Sequence, residues 1–190
     1  MKKKIFNSLG LMSGTSMDGV DLSVIKSDGY SKIEYLYDKY YKFDDDLYSQ
    51  LIELRTCVNS TKDLSQYLEK INNVEKTFTL FNSSIVKDII NTTNIKLDFI
   101  GFHGQTILHL PDENISKQIG DGHLLSQLTK CIVVNNFRQN DLMNGGQGAP
   151  LVPIFHNLIS QKLINDFNLE YPMNIINIGG ITNVTQIIKK

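Results

Sequence analysis

One pattern constrains this chain more than any other, because it occurs twice. A short apolar strand runs into a turn rich in glycine and hydroxyl groups, and a second strand follows. The first copy is GLMSGTSMDGVDLSVI at residues 10–25, and the weaker second copy is NIINIGGITNVTQII at residues 174–188. Self-similarity of this kind is the signature of a duplicated fold. The second copy starts only as the 190 residues run out. The pattern therefore predicts a two-lobed α/β protein, with a first lobe over residues 1–165 and the start of a second over 166–190, the remainder of that lobe being absent from the sequence.

Between the copies, hydrophobic periodicity predicts the elements. Residues 5–12 read as a buried strand. Val20, Leu22 and Val24 alternate with Asp21 and Ser23 as a strand with one buried face does, and Asp28-Gly29 supplies a hairpin turn into a third strand through Ile33, Tyr35 and Tyr37. Asp44 is suited to cap a helix carrying Leu47, Leu51 and Leu54 on one face. Ser60 and Asp63 resemble a capping box. Leu64, Leu68, Ile71, Val74, Phe78, Phe81, Ile85 and Ile89 follow at three- and four-residue steps, which predicts one long amphipathic helix, straight or kinked, laid across the sheet. A fourth strand is expected over 97–102, a short helix over 122–130, and a fifth strand over 131–135. Pro150 or Pro153 begins a last helix through Phe155, Leu158, Ile159 and Leu163. The expected fold is thus α/β, a five-stranded mixed sheet with helices, followed by the first hairpin of a second lobe.

Composition removes several classes of function. A net charge of −1 provides no electrostatic attraction to nucleic acid or to an anionic membrane. The apolar run after Lys2-Lys3-Lys4 is only a few residues long, too short for the core of a signal peptide or for a membrane span. Cys57 and Cys131 lie far apart in unremarkable surroundings, as expected of two free thiols in a reducing compartment with no metal role. A cytoplasmic protein is the expectation.

Four segments carry the residue types of a reactive site. In the first turn, Gly14, Thr15, Ser16, Met17, Asp18, Gly19, Val20 and Asp21 combine backbone N–H groups that can converge on an anion, hydroxyl donors, and carboxylates able to hold a cation through water. The turn lacks the Gly-Lys-Ser/Thr ending of a Walker loop, and a strand follows it, so it is not a P-loop. It reads either as a phosphate-binding hairpin or as a plain polar turn. Gly179 and Gly180 in the second copy favour the first reading, since two facing hairpins could clamp a nucleotide's phosphates. GFHGQTILH, residues 101–109, ends the fourth strand with His103, Gln105 and Thr106, groups better suited to hydrogen-bonding a sugar than to binding metal. A structural role stays open for His103 and is favoured for His109. Asp121, between two glycines in QIGDGHLL, reads as a helix cap or a site residue. NNFRQNDLMNGGQGAPLVP, residues 135–153, places Arg138, a planar cation for phosphate or carboxylate, three residues before Asp141, a candidate general base. Gly145-Gly146-Gln147-Gly148 is then a loop passing close to a ligand. The bland alternative is a surface Arg–Asp pair beside a flexible loop.

GLMSGTSMDGVD, GFHGQT, QIGDG, NFRQNDLMNGGQGAPLVP and NIGGITNVT, in that order, resemble the anhydro-N-acetylmuramic acid kinase family. This is a branch of the sugar kinase, Hsp70 and actin superfamily. The resemblance runs from about Ile5 to the end of the chain. It implies an actin-like (ribonuclease H-like) ATPase fold and a cytoplasmic role in recycling the sugars of cell-wall peptidoglycan. The implied reaction opens the 1,6-anhydro ring by hydrolysis and phosphorylates O6 from ATP, with Mg2+. It matches residues 14–21 to the ATP-phosphate segment and Asp141 to the aspartate that activates water. His103, Gln105, Thr106, Asp121 and Arg138 fall where sugar or phosphate would be held, and no protein metal site is implied. The implied partner is a small amino-sugar, with no nucleic acid and no membrane; a separately encoded carboxyl-terminal half and a homodimer are left open as further partners. Two departures stand out. Asn136 replaces an aspartate common in the motif, and family members are roughly twice as long. The competing expectation is therefore an inactive remnant, or one half of a split kinase, that binds sugar or phosphate at most.

Overall fold

The computed structural model describes residues 4–178 and 182–189. Nine strands and six α-helices are formed among these residues: β1 Phe6–Met12, β2 Gly19–Ser27, β3 Ile33–Lys42, α1 Asp45–Cys57, α2 Thr61–Gln66, α3 Leu68–Thr93, β4 Phe99–Phe102, β5 Gln105–Leu110, β6 Ile115–Ile119, α4 Gly122–Thr129, β7 Ile132–Asn135, α5 Phe137–Met143, α6 Pro153–Phe167, β8 Met173–Ile178 and β9 Thr182–Ile187. The main sheet has the order β3-β2-β1-β4-β7. β1 runs antiparallel to β2 and parallel to β4, which is parallel to β7. The expected five-stranded mixed sheet is the one formed. Its three parallel strands end on the same edge, and this fixes where the loops after them meet.

β2 follows the alternation closely, Val20, Leu22 and Val24 being buried while Asp21 and Ser23 face out. β3, at the sheet edge, does not: Tyr35 is exposed and Ile33 and Tyr37 are only half-buried, where the alternation predicts one buried face. Asp28 makes the β2–β3 turn with its side chain, Oδ1 accepting from the backbone N–H groups of Tyr30, Ser31 and Lys32. Asp44 caps α1 by accepting from Leu47 N at 2.8 Å. Asp63 reaches back to the N–H groups of Asn59 and Ser60. The long helix is broken at Tyr67, whose φ of −103° and ψ of 20° leave the helical range, so α2 and α3 are separate. Leu68, at the break, is exposed instead of packed. Beyond it α3 lays Ile71, Val74, Phe78, Ile85 and Ile89 on the sheet, with the Phe78 ring stacked on Phe102 at 6.0 Å. The last helix begins at Pro153, the second of the two candidate prolines.

β5 and β6 form an antiparallel hairpin of their own that the sequence reading left without an element. Its register shifts between Thr106 and Leu108, which breaks the alternation that would have announced it. Gly104, at φ +75°, turns the chain from β4 into β5, and a Cβ there would meet the carbonyl oxygen of Ile119. β8 and β9 pair with each other in a separate two-stranded sheet. Gly179, Gly180 and Ile181, the centre of the second copy, lie outside the described residues, as do Lys2 and Lys3.

Candidate active site at the edge of the parallel strands

Three segments leave the carboxyl ends of β1, β4 and β7, the edge where α/β sheets commonly bind ligands. After β1, Met17 N donates to Gly14 O at 3.2 Å, closing a tight turn with Met17 at φ +57°. The Met17 and Val20 side chains are buried in the core, so these two residues face a ligand only through their backbone. Thr15, Ser16 and Asp18 are exposed. The Ser16 hydroxyl donates to Asp18 Oδ1, which, with Tyr40, holds that carboxyl below the usual carboxylate range. Among the described residues no group of three or more His, Cys, Asp or Glu is placed to hold a metal. Asp18 and the exposed Asp21 are the carboxylates of this turn, so a divalent ion there would take most of its oxygen ligands from a bound molecule.

The turn is braced from the second segment. Gln105 is fully buried. Its Nε2 donates to Gly14 O at 3.0 Å, and its Oε1 shares the Ser13 hydroxyl proton with Gly19 O. Gln105 thus supports the Gly14–Met17 turn from behind, where it is shielded from solvent. Thr106, one residue on, accepts from Gln118 across the β5–β6 hairpin at 3.1 Å. A residue without a sequence signal also joins the turn: Arg55, from the last turn of α1, donates to Thr15 O at 2.5 Å. Nothing local distinguishes it from a cation that complements a helix carboxyl end.

The third segment builds the candidate base. Asn136 adopts the left-handed conformation at φ 58°, which asparagine tolerates better than most residues, and α5 starts directly after it. Asp141 is exposed on α5, and the glycine loop folds back over it: Gly146 N donates to Asp141 O at 2.9 Å, and Gly148 N donates to Asp141 Oδ2 at 2.7 Å. A Cβ on Gly146 would collide with the carboxylate. Arg138 does not form the surface pair with Asp141 that the spacing left open. It turns inward, donating from Nε to His103 Nε2 at 2.9 Å and from Nη1 to Gly148 O at 2.6 Å. His103 Nδ1 lies 2.7 Å from Gly104 O. Burial, with the Arg138 charge, pushes the His103 pKa down to about 4.

The structure therefore links Gln105 to the first turn, and His103 and Arg138 to Asp141. Asp121 caps α4, accepting from Leu124 N at 2.9 Å, while its own N–H donates to Thr79 on α3. Its cap role is realised. His109 faces Ser116 within the hairpin.

A family model described as anhydro-N-acetylmuramic acid kinase matches residues 6–190. The chain belongs to that family. The match begins at Phe6, the first residue of β1, so all three segments of the site fall within it. Proteins named anhydro-N-acetylmuramic acid kinase are 55% identical in Pelagibacter ubique, over 99% of this chain and 49% of the relative, and 38% identical in Agrobacterium fabrum, over 97% and 50%. A third, in Paramagnetospirillum magneticum, is 39% identical over 95% of this chain and 47% of its own. The chain thus spans about half the length of the curated relatives it matches. Within the family frame the α/β sheet is a sugar kinase ATPase lobe. No described helix is long and apolar enough to cross a membrane, and both cysteines are free.

Proposed function

We propose that this chain carries the amino-terminal lobe of a cytoplasmic, ATP-dependent kinase acting on anhydro-N-acetylmuramic acid in peptidoglycan recycling. On this reading residues 1–165 are the first lobe and 166–190 open the second. The observation that carries it is the position of Asp141, an exposed carboxylate held by Gly148 N–H on the same sheet edge as the Gly14–Met17 turn. A base beside a phosphate cradle suits a reaction that joins hydrolysis to phosphoryl transfer.

Asp141 takes a proton from water as the water oxygen bonds to the anomeric carbon. The bond from that carbon to O6 breaks, and O6, carrying the released electron pair, bonds to the γ-phosphorus as the bond to the β,γ-bridging oxygen breaks and ADP leaves. Backbone N–H groups and hydroxyls of residues 14–16 orient the donor phosphates, and Gln105 keeps the turn in place. A magnesium ion at Asp18 and Asp21 would neutralise charge on the transferred group. On the same reading Gly179 and Gly180 belong to the phosphate contacts of the second copy, and Thr106 and Asp121 to the sugar contacts that the family resemblance implies. The adenosine pocket and the opposite cleft wall belong to the further half of the relatives' length.

The test is transfer of labelled phosphate from ATP to the anhydro-sugar, by the purified chain alone and mixed with the carboxyl-terminal half of a relative. Alone, activity is expected to be orders of magnitude below that of ordinary small-molecule kinases, because a half-open cleft neither excludes water nor holds adenosine. On mixing, activity should appear, and Asp141→Asn should abolish it while leaving ATP binding unchanged. Activity in neither condition favours a remnant that only binds sugar or phosphate. Turnover near the parent rate in Asp141→Asn removes Asp141 as the base.

A further inference from the structure

The hydrogen bonds that end at Asp141 begin at a residue whose ring nitrogens are both bonded within the protein. Both ring nitrogens of His103 are taken: Nδ1 at Gly104 O, 2.7 Å, and Nε2 at Arg138 Nε, 2.9 Å. Arg138 in turn spends Nη1 on Gly148 O, and the N–H of the same Gly148 holds Asp141 Oδ2. We infer that His103 and Arg138 are positioning residues for Asp141, acting through Gly148, and that they do not serve as sugar ligands. The inference rests on the reading of Asp141 as the general base and assigns these residues a different task from the one their motif suggests.

Each link in the chain has a chemical requirement. Nε2 can accept from a guanidinium only if the imidazole is neutral with its proton on Nδ1, and Gly104 O is there to take that proton. Burial and the neighbouring cation keep the ring neutral well below neutral pH. Arg138 offers donors in a rigid planar fork, so fixing Nε on His103 also fixes where Nη1 points. Its target, Gly148, is buried at φ +67° at the end of a loop that also has Gly145 at φ +84°. Such a loop has many conformations to lose, and an anchor on the Gly148 carbonyl selects one. That conformation is the one whose N–H meets the carboxylate. Lysine in place of Arg138 keeps the charge and loses the fork.

The test is solution NMR on the 190-residue chain, reading the Gly148 amide proton. Because this N–H donates to a carboxylate oxygen, its resonance at pH 7 should lie downfield of its position in Asp141→Ala, and that displacement is the response read. The response is expected to be lost in His103→Leu and in Arg138→Lys. It should be retained in His103→Gln, whose amide oxygen can stand in for Nε2. The Met17 amide, in the first turn, should be unmoved in all of them, which reports that the fold persists. Should His103→Leu not fold, Arg138→Lys and the rescue by glutamine carry the same reading. A Gly148 response unchanged by Arg138→Lys, or lost in His103→Gln while Met17 is unmoved, overturns the proposal. Full turnover by Asp141→Asn in the mixed assay, with these NMR results as expected, removes the base assignment and leaves the coupling standing.

Discussion

Gly146 keeps an unstrained backbone, so its need for glycine comes from its neighbour and not from its own dihedrals. The Cβ of an alanine there would overlap the Asp141 carboxylate. Gly146→Ala should therefore swing that carboxylate off Gly148 N–H. Transfer in the mixed assay is expected to fall about 10²-fold, the scale of a displacement near 1 Å at a reacting group, with little change in melting temperature because the site is at the surface. His103 yields a prediction in pH. Its folded pKa, about 4, lies below the 6.5 of the free side chain. Above pH 6.5 both states are neutral and nothing is lost. As pH falls from 6.5 towards 4, the unfolded chain binds a proton that the folded chain refuses, and stability drops, by ~3 kcal/mol at most before solvent screening. Urea midpoints measured from pH 7 to pH 4 should fall further in the parent chain than in His103→Gln. Equal falls would remove His103 as the cause. The caps at Asp44, Asp63 and Asp121 were legible in the sequence because a cap bonds within three or four residues. The inward turn of His103 was not, since its partner lies 35 residues away.

Elements differ in how much of their environment the chain writes locally. β2 and the second half of β1 alternate because one face of the sheet is buried, β3 at the edge does not, and the long helical periodicity is real on either side of Tyr67. The β5–β6 hairpin was hidden by its register shift and by a turn, Pro111–Glu113, that carries no glycine. β8 and β9 were legible as strands, yet they have no sheet to join. Ile176, Ile178 and Val184 stay exposed, and the hairpin is held by Ile187 and by a bond between His156 and Thr185 at 2.7 Å. Two-stranded ribbons are marginal in water. Amide exchange in residues 173–187 is expected to be orders of magnitude faster than in β1 and β4. Strong protection there in a dilute monomer would contradict this.

At the scale of the whole molecule, Ile154, Phe155 and Phe167 on α6 add to the apolar surface of the ribbon. Exposed apolar side chains promote association, and open strand edges add to it. Sedimentation should show the average mass rising with concentration, and the added carboxyl-terminal half of a relative should suppress that rise and lift the melting temperature by mass action. A mass independent of concentration would count against it. The sheet order has a consequence in time as well as in space. β1 is made first but lies at the centre, and Asn7 meets its partner Asp98 only across 91 residues. On a ribosome adding about 5–20 residues per second, the nascent β1–β2 hairpin waits roughly 4 to 15 s with one edge unpaired before β4 emerges. During translation, then, the strand that leads into the Gly14–Met17 turn is a natural client for a chaperone.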